Sequence, residues 1–314
     1  MRIIVTGAGG FVGRKLVAQL ADRDPNHRIV ALDYIADSIP DRPHITPISG
    51  DLRDTSVLNT AFADGCDAVV HLATVPGGAA EKNPDIARQV NIDAMMALAD
   101  IAAESGSNPR FVFASSIAAL GDPLPEGIND NTPLAPRMLY GAHKAMMEQW
   151  LATLTRRGAL DAISLRLSGV VARPKGLSGM SSAFLSNIFH ALRAGESFVM
   201  PVSEDATSWL TSIDNAAGNF AHALFADLEG APISRAVTLP TLRVKIGDLV
   251  SEIAAQVGQS IDSVRYVPDA KLETGFGRFP PPSTDASCAL GFVCDSDLPS
   301  LVRGALGNII TQRI

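Results

Sequence analysis

The stretch "VTGAGGFVG", residues 5–13, decides the fold, because it joins a strand-like apolar run to a helix through a glycine-rich turn. Gly7, Gly10 and Gly13 allow a tight turn, close approach of the backbone to a pyrophosphate, and close packing of the helix on the strand. The unpaired N–H groups and the positive dipole at the start of the helix then attract phosphate. The stretch predicts a dinucleotide-binding turn, with a glycine turn that binds nothing as the alternative.

The acidic residue Asp33 favours the dinucleotide, since it ends the second strand-like run, twenty residues after Gly13. A carboxylate in this place accepts hydrogen bonds from the adenosine ribose hydroxyls and repels a 2′-phosphate. Residues 34–38 contain no Arg or Lys that could bind such a phosphate. The pattern therefore predicts NAD rather than NADP, and the alternative is a solvated aspartate at the end of a strand.

Strand-like and helix-like segments alternate beyond the turn, as in a parallel sheet covered by helices on both faces. The predicted strands are Arg2 to Thr6, Arg28 to Asp33, His44 to Ser49, Ala68 to Leu72, Arg110 to Ala114 and Ala162 to Leu167. The predicted helices are Gly10 to Arg23, Ser56 to Ala63, Pro84 to Ser105, Tyr140 to Arg157, Ser181 to Ala194, Ser212 to Asp227 and Lys245 to Val257. A loop is predicted from Gly121 to Pro136, and an irregular stretch from Phe276 to Ser287.

This pattern predicts the α/β fold class, with a doubly wound parallel-sheet Rossmann fold and a smaller C-terminal substrate-binding lobe. We place the NAD-binding Rossmann domain at residues 1–172 and the smaller lobe at residues 173–314. Part of the second segment is free to cross back to the first domain.

The bulk composition limits the classes of partner. The chain has 314 residues, 46% of them hydrophobic, and a net charge of −7, which argues against a general nucleic-acid or anionic-membrane surface. Cys66, Cys288 and Cys294 form no CxxC pair, which argues against a disulfide framework or a zinc site. The sequence contains no signal-peptide pattern and no apolar run of membrane-spanning length. We therefore expect a cytoplasmic protein without a metal.

Several motifs together resemble the extended short-chain dehydrogenase/reductase family, which includes NAD-dependent nucleotide-sugar epimerases and dehydratases. They are the glycine turn, "GDLRD" (50–54), "VVHLAT" (69–74), "FVFASS" (111–116) and "YGAHK" (140–144). The resemblance covers nearly the whole chain and is strongest up to Val170.

The resemblance implies further cofactor contacts. Asp51 and Leu52 would flank the adenine, with Asp51 accepting a hydrogen bond from its amino group, and Asn91 would be a structural or active-site asparagine. The expected cofactor contacts are Gly7, Gly10, Phe11, Val12, Gly13, Asp33, Asp51, Leu52, Leu72, Ala73, Thr74, Asn91, Tyr140, Lys144 and Leu167.

Tyr140 and Lys144 are four residues apart, so they project from the same face of a helix. A tyrosine with an ordinary pKa of about 10 is a poor base at neutral pH, but a nearby ammonium lowers that pKa. The phenol oxygen then takes a proton from a substrate hydroxyl. The lysine has a second task, which is to bind the nicotinamide ribose. By the resemblance, Ser116 holds the substrate oxygen. A chance helical pair and a strand-end cap are the alternatives, and the joint order of the motifs favours catalysis.

The substrate is the point at which the sequence departs from the nucleotide-sugar enzymes. After the sixth strand those enzymes tend to have Arg-Tyr-Phe-Asn, whereas this chain has "RLSG" (166–169), with Gly169 in the position of the asparagine. Ser208 stands in the position of a phosphate-binding arginine. A diphosphate is best held by charged bidentate donors, so both departures disfavour it.

The segments "RLSGVVARP" (166–174), "SSAF" (181–184) and "DASCALGF" (285–292) resemble a subgroup, the D-erythronate dehydrogenases. The resemblance implies NAD-dependent oxidation of the 2-hydroxyl of a small sugar acid. The expected substrate contacts are Thr74, Ser116, Tyr140, Gly169, Arg173 and Ser182. For Arg173 a solvated loop arginine is the alternative, and for Trp209 an apolar pocket wall competes with core packing.

Three functions remain open at this point. The first is the sugar-acid dehydrogenase with Tyr140 as general base. The second is a nucleotide-sugar 4-epimerase or dehydratase that keeps its NAD bound. The third is a non-catalytic NAD sensor, against which the intact Tyr140 and Lys144 argue.

A second copy of the chain is the expected macromolecular partner. The segments Pro84 to Ser105 and Tyr140 to Arg157 contain more Met, Ala and Leu than one buried face requires. In the family such helices pair across a two-fold axis, so the resemblance implies a homodimer through a four-helix bundle. The alternative is that both apolar stripes pack only on their own sheet.

Overall fold

A seven-stranded parallel sheet forms the centre of the protein in the computed structural model, which describes residues 1–106, 108–121, 123–129, 131–175 and 181–311. Within these residues the strands are β1 (Arg2–Thr6), β2 (Arg28–Asp33), β3 (Ile45–Ser49), β4 (Ala68–His71), β5 (Arg110–Ser116), β6 (Asp161–Leu167), β7 (Gly169–Val170), β8 (Phe198–Met200), β9 (Thr207–Thr211), β10 (Ala236–Thr238), β11 (Leu242–Lys245) and β12 (Val264–Tyr266). The central sheet has the order β10-β6-β5-β4-β1-β2-β3, with every neighbouring pair parallel.

Helices cover both faces of this sheet, as the sequence predicts. They are α1 (Phe11–Arg23), α2 (Thr55–Phe62), α3 (Gly77–Lys82), α4 (Pro84–Arg88), α5 (Ala94–Ser105), α6 (Leu139–Arg156), α7 (Phe184–Ala194), α8 (Ile213–Ala223), α9 (Ile246–Val257), α10 (Ala270–Phe276), α11 (Asp285–Ala289) and α12 (Leu298–Thr311). Leu16 and Leu20 of α1 and Phe220 of α8 share one core with the sheet. On the other face, Leu58 of α2 and Leu151 of α6 belong to a second core. The doubly wound α/β fold is confirmed.

The chain reverses direction across the sheet between β1 and β4, because β2 and β3 lie on one side of β1 and β4, β5 and β6 on the other. Ligands of doubly wound sheets bind outside the carboxyl ends of the strands at such a switch point. The glycine turn follows β1 and Thr74 follows β4. The topology therefore brings both segments to one crevice.

The segment after β6 builds a second core beside the carboxyl edge of the sheet. It contains the small sheet β11-β9-β7, the pair β12-β8, and buried side chains of α7, α9 and α12. The chain returns to the central sheet with β10, which pairs with β6, and with α8, which packs on α1. Part of residues 173–314 therefore belongs to the central sheet and its helix layer, which agrees with the crossing-back that the sequence pattern leaves open.

Several element boundaries differ from the predicted ones. The predicted helix Pro84 to Ser105 is interrupted by a π-helical turn at Gln89–Asp93, and the helix predicted to reach Asp227 ends at Ala223. The irregular stretch predicted from Phe276 to Ser287 begins on the last residue of α10 and ends inside α11.

Other elements carried too little signal to be predicted. The strands β7 to β12 are two to five residues long, too short for an alternating pattern, and α12 was not predicted. Two residues of the predicted loop, 122 and 130, lie outside the described residues. Across the described residues, no helix combines the length and apolarity that crossing a membrane requires.

Candidate active site

The glycine turn is built so that two of its glycines cannot be replaced. Gly7 has a φ of 71°, and a Cβ on it would lie 2.6 Å from the backbone nitrogen of Ala73. A Cβ on Gly13 would lie 2.0 Å from the carbonyl oxygen of Gly7. Gly10 is the N-cap of α1, and no side chain of the described residues caps that helix end. The first turn of α1 therefore offers backbone N–H groups to a phosphate.

The carboxylate of Asp33 is fixed beside this turn. Its Oδ2 accepts a hydrogen bond from the Gly9 N–H at 2.8 Å, and its Oδ1 accepts one from the Tyr34 N–H at 2.7 Å. A Cβ on Gly9 would lie 2.9 Å from the Ile35 carbonyl oxygen, so this glycine is needed as well. The sequence analysis missed Gly9, although the doubled glycine at residues 9 and 10 was the available signal.

These residues fit a nicotinamide dinucleotide. The cradle at Gly7 and Gly13 holds its shape only without side chains, the start of α1 faces outward, and Asp33 sits at the end of β2. A glycine cradle at a helix start followed by a strand-end carboxylate is the order that the phosphates and ribose of a dinucleotide require.

Asp51 and Leu52, the implied adenine neighbours, follow β3 directly. The Asp51 carboxylate pairs with the Arg53 guanidinium, with Oδ2 at 2.6 Å from Nη2. Hydrogen bonds from Arg53 hold the pKa of Asp51 below its usual value. Arg53 also donates to Gln89 Oε1 at 3.0 Å. Contact of Asp51 with adenine stays a prediction.

Asn91 lies in the middle of the π-helical turn and ties that turn to the segment after β4. Its Oδ1 accepts hydrogen bonds from the Val75 N–H at 2.7 Å and from the Thr74 hydroxyl at 3.0 Å. Its Nδ2 donates to the Val75 carbonyl at 3.0 Å. A π-helical turn often marks a functional site, and here it aims the asparagine at a backbone segment that borders the crevice.

The three predicted catalytic residues meet at the carboxyl end of β5. The Ser116 hydroxyl lies near enough to the Tyr140 phenol to lower its pKa, and Lys144 Nζ lies 5.4 Å from the centroid of the Tyr140 ring. The same nitrogen donates to the carbonyl of Ala114 at 2.7 Å and lies 4.6 Å from the centroid of the Phe113 ring.

The protonation of this pair differs from the expectation. Burial raises the pKa of Tyr140 above 10.0, although the bond from Ser116 and the charge of Arg173 act in the opposite direction. Burial also lowers the pKa of Lys144 to about 7. The expected fall in the tyrosine pKa is not found here, because the loss of hydration outweighs the nearby positive charge.

A cavity of about 250 Å³ opens in front of the tyrosine. It contains every predicted substrate contact, and it is lined from the sheet edge by Thr74, Ser116, Tyr140 and Lys144, and from the lobe by Gly169, Arg173 and Ser182. Val12, Leu72 and Leu167, three of the expected cofactor contacts, also line it. The structure thus places the dinucleotide crevice and the cavity side by side.

Arg173 is the cation of the cavity and is partly buried. Burial lowers the pKa of its guanidinium, and the neighbouring Tyr140 works against that fall. The preceding residue, Ala172, is fully buried with a φ of 59°, a left-handed conformation that is strained for alanine. His190 Nε2 lies 2.6 Å from the Arg173 carbonyl and fixes the same segment. No pattern in the sequence indicates the left-handed backbone at Ala172 or the contact of His190 with the Arg173 carbonyl.

The far wall of the cavity is aromatic. Trp209 is fully buried, donates from Nε1 to the Pro280 carbonyl at 2.7 Å, and meets Phe279 edge-on with ring centroids 5.6 Å apart. Phe276 lines the same wall beside Gly275. Trp209 is therefore both a wall residue and a core residue. Sequence reasoning missed Gly275, Phe276 and Phe279, which lie far along the chain from the catalytic motifs.

Comparison with known proteins identifies the family of the chain. The model of the NAD dependent epimerase/dehydratase family matches residues 3–225. The D-erythronate dehydrogenase of Cupriavidus necator is 31% identical over 314 aligned residues, covering 96% of this chain and 97% of that protein. The D-erythronate dehydrogenase of Haemophilus influenzae is 29% identical over 310 aligned residues, covering 96% and 98%.

Solved structures agree with the fold. The crystal structure of a nucleoside-diphosphate-sugar epimerase from Agrobacterium tumefaciens has a TM-score of 0.89 at 27% identity, covering 99% of this chain and 95% of that chain. The holo form of an L-threonine dehydrogenase from Cupriavidus necator has the same fold, with a TM-score of 0.85 at 24% identity over 98% and 100% of the two chains. The chain is therefore an oxidoreductase that belongs to the NAD-dependent epimerase/dehydratase family, within the extended short-chain dehydrogenases/reductases.

Proposed function

We propose that the protein oxidises the 2-hydroxyl of a small sugar acid, such as D-erythronate, to the 2-keto acid with NAD. The convergence of Ser116, Tyr140 and Lys144 with the Arg173 guanidinium in a cavity of about 250 Å³ supports this most. A sugar acid offers its 2-hydroxyl to Ser116 and Tyr140 and its carboxylate to Arg173. The two D-erythronate dehydrogenases match this chain over nearly its whole length, which is consistent with the same substrate class.

The preference for NAD over NADP is part of the proposal. Asp33 presents a carboxylate at the place of the adenosine ribose, already oriented by the Gly9 and Tyr34 N–H groups. Each carboxylate oxygen keeps a lone pair for a ribose hydroxyl. The same charge repels a 2′-phosphate.

Proton removal from the substrate falls to Tyr140 in this proposal. The Ser116 hydroxyl, which lines the cavity beside the phenol, reaches the substrate oxygen and stabilises negative charge on it. Bound NAD supplies the hydride acceptor and a positive charge near the phenol. Lys144 stabilises the phenolate from below and, through its position at the crevice, anchors the ribose. Together these groups offset the rise that burial causes in the pKa of Tyr140.

The carboxylate of the substrate is assigned to Arg173, with hydroxyl groups from Ser182 and Thr74 completing the polar lining. A charge-assisted hydrogen bond to a guanidinium is roughly twice as strong as a neutral one, so a single arginine suffices for a small anion. The Gly169 backbone borders the cavity without a side chain and leaves room for the sugar hydroxyls.

A nucleotide-sugar epimerase is the second candidate, since the Agrobacterium tumefaciens structure is named as one. The lining of the cavity argues against it. Ser208 and Gly169 occupy the places at which a diphosphate would need a charged and an amide donor.

A substrate screen tests the proposal. Purified protein is incubated with NAD and each of the C4 to C6 aldonates, and with UDP-sugars, while the absorbance of NADH is followed. We expect steady NADH formation with a C4 aldonate and none with UDP-sugars. Absence of NADH with every aldonate contradicts the proposed function, and epimerised UDP-sugar supports the second candidate.

We also propose a homodimer through α5 and α6. Met146 on α6 is 54% exposed, and Met96, Ile101 and Trp150 are only half-buried against their own sheet. We expect light scattering to give twice the 33.0 kDa of one chain at micromolar concentration. A monomer at that concentration contradicts the dimer, and Met146→Glu is the variant expected to dissociate it.

A cytoplasmic location is proposed on the cysteines. Cys66 is a buried thiol, and Cys288 and Cys294 are exposed and unpaired. Exposed free thiols are typical of a reducing compartment.

A further inference from the structure

Three consecutive residues of β5 face one stripe of α6. The stripe consists of Tyr140 and the residues four and eight positions later, Lys144 and Glu148. Lys144 Nζ donates a hydrogen bond to the Ala114 carbonyl (2.7 Å), the Ser115 hydroxyl donates one to Glu148 Oε1 (2.5 Å), and the Ser116 hydroxyl lies near enough to the Tyr140 phenol to lower its pKa. Two of these three contacts belong to the proposed catalytic residues. The middle one, at Glu148, has no role in the mechanism so far.

Glu148 is a carboxyl group in the core of the protein. Its side chain is 1% exposed, and that of its partner Arg166 is 4% exposed. Arg166 grips both carboxylate oxygens, with Nη2 at 2.8 Å from Oε2 and Nε at 3.0 Å from Oε1. Ser115 and Arg166 are direct neighbours across β5 and β6. One carboxylate therefore joins α6 to both strands, directly behind the catalytic serine and lysine.

We propose that Glu148 is a positioning residue of the reaction: it locks α6, with Tyr140 and Lys144 on the same stripe, in register against β5 and β6. This inference rests on the proposed roles of Tyr140 and Lys144. A buried ion pair is weak evidence for stability, because two apolar residues often do as well. Its placement one helical turn from the lysine gives it a different use.

Several charged or titratable groups surround Lys144, and they determine how the lysine titrates. They are Tyr140, His143 and Glu148 on α6, His71 on β4, Arg166 on β6 and Arg173 beside the phenol. Burial lowers the pKa of Lys144 to about 7, and the Glu148 carboxylate opposes that fall. His71 is neutral in the range where Lys144 titrates, since burial and the Lys144 charge lower the pKa of His71 to about 3. Loss of the carboxylate charge therefore favours the neutral amine.

The proton shared by Tyr140 and Lys144 links this effect to the rate. The active form of the pair is phenolate with ammonium, and the competing form is phenol with neutral amine. Both forms contain the same number of protons, so pH does not select between them. Without the Glu148 charge the population of phenol with neutral amine rises, and the maximal rate falls. Without that charge the pair also loses its first proton at a lower pH. The acid limb of the pH–rate profile therefore shifts to lower pH.

The experiment is an NMR titration of the apo protein labelled with ¹³C at the lysine ε-carbon, compared with its Glu148→Gln variant. The chain has six lysines, and Lys144→Met assigns the signal. We expect the wild-type signal to titrate near 7 and the variant signal about one unit lower or more. With substrate, kcat should fall about 10-fold or more with KM nearly unchanged, and the acid limb should shift down. An unchanged midpoint with an unchanged acid limb overturns the proposal.

Two further variants separate charge from folding. Glu148→Met with Arg166→Met replaces the ion pair by apolar side chains and should still fold. The Lys144 midpoint should shift down by less than in Glu148→Gln, because a positive charge is removed together with the negative one. Asp161→Asn is the matched control, because it breaks an ion pair with Arg110 (2.8 Å) and Arg235 at the far end of β6. It should lower stability and leave the Lys144 midpoint in place. An equal shift in Asp161→Asn overturns the proposal.

The two arms also distinguish this proposal from the function it rests on. The titration needs no substrate, so a lowered midpoint supports the role of Glu148 even if no aldonate is oxidised. Failure of the wild type to reduce NAD contradicts the proposed function alone.

Discussion

The cavity has two walls that the chain builds in different ways. The carboxyl edge of the central sheet contributes short motifs in which neighbouring residues act together, such as the turn at residues 7–13 and the pair Tyr140 and Lys144. The lobe contributes residues from distant segments, such as Arg173 and Phe279. The first wall fits the chemistry common to the family, and the second is where substrate choice can vary. Variants on the two walls should therefore fail in different ways.

Removal of the phenol oxygen should have the largest effect. We expect Tyr140→Phe to lower kcat about 10³-fold, since general base catalysis contributes roughly 10² to 10⁴. The NAD dissociation constant, measured by fluorescence titration, should stay nearly constant, because the ring remains. Tyr266→Phe, in β12 of the lobe, is the control and should keep full turnover. Retained turnover in Tyr140→Phe would show that another group takes the proton.

A methyl group in the glycine turn should come next. A Cβ at Gly13 would lie 2.0 Å from the Gly7 carbonyl, so Gly13→Ala must push α1 away from β1. We expect NAD binding, followed by calorimetry, to weaken about 100-fold or more as the phosphate cradle opens. The control is Gly218→Ala in α8, where a Cβ meets nothing within 4 Å. That variant should gain about 0.5–1 kcal/mol of unfolding free energy. Normal NAD affinity in Gly13→Ala would contradict the cradle.

The lobe wall should respond mainly in substrate affinity, with a smaller fall in kcat because the charge of Arg173 also lowers the pKa of Tyr140. We expect Arg173→Gln to raise KM for the aldonate about 10- to 100-fold, because a charge-assisted hydrogen bond contributes roughly 1.5–3 kcal/mol. The NAD dissociation constant should not change. Lys175→Gln is the matched control, since Lys175 is 53% exposed and pairs with the exposed Glu196. If both variants behave alike, the substrate carboxylate lies elsewhere.

The smallest expected effect is on acid stability, and it belongs to the core beneath the first wall. His71 is 1% exposed, lies 2.7 Å from the Thr6 hydroxyl, and has its pKa lowered from 6.5 to about 3. Below pH 6.5 the imidazole is protonated in the unfolded chain but stays neutral in the folded chain. The contribution of His71 to the free energy of unfolding is therefore fully present above pH 6.5 and is lost as the pH falls toward 3. We expect the melting temperature of His71→Leu to fall less steeply with acid than that of the wild type. Parallel curves would contradict the buried neutral imidazole.

The difference between the walls also explains what the sequence could predict. Gly7, Asp33, Tyr140 and Lys144 were accessible because each lies in a local pattern whose geometry follows from one turn, one strand end or one helix face. Ser116 was identified by the resemblance of "FVFASS" to the family, because the predicted strand ended at Ala114 while β5 extends to Ser116. The sheet confirms the order of β and α segments on which the local predictions depend.

Features that depend on long-range packing could not be predicted from the sequence. The left-handed backbone of Ala172 is imposed by its surroundings, and alanine gives no sign of it. Glu148 looked like an ordinary helix glutamate, and its pairing with Arg166 required the register of β5 and β6. The raised pKa of Tyr140 also followed from burial, which a spacing of four residues does not reveal.

Isotope transfer tests the central claim most directly. D-Erythronate deuterated at C2 is incubated with the protein and NAD, and the products are analysed by mass spectrometry. The account predicts that one deuterium moves to NADH, that the 2-keto acid is released in equal amount, and that Tyr140→Phe abolishes both. Deuterium that stays on the sugar acid, or no reaction while a UDP-sugar is epimerised, would contradict it.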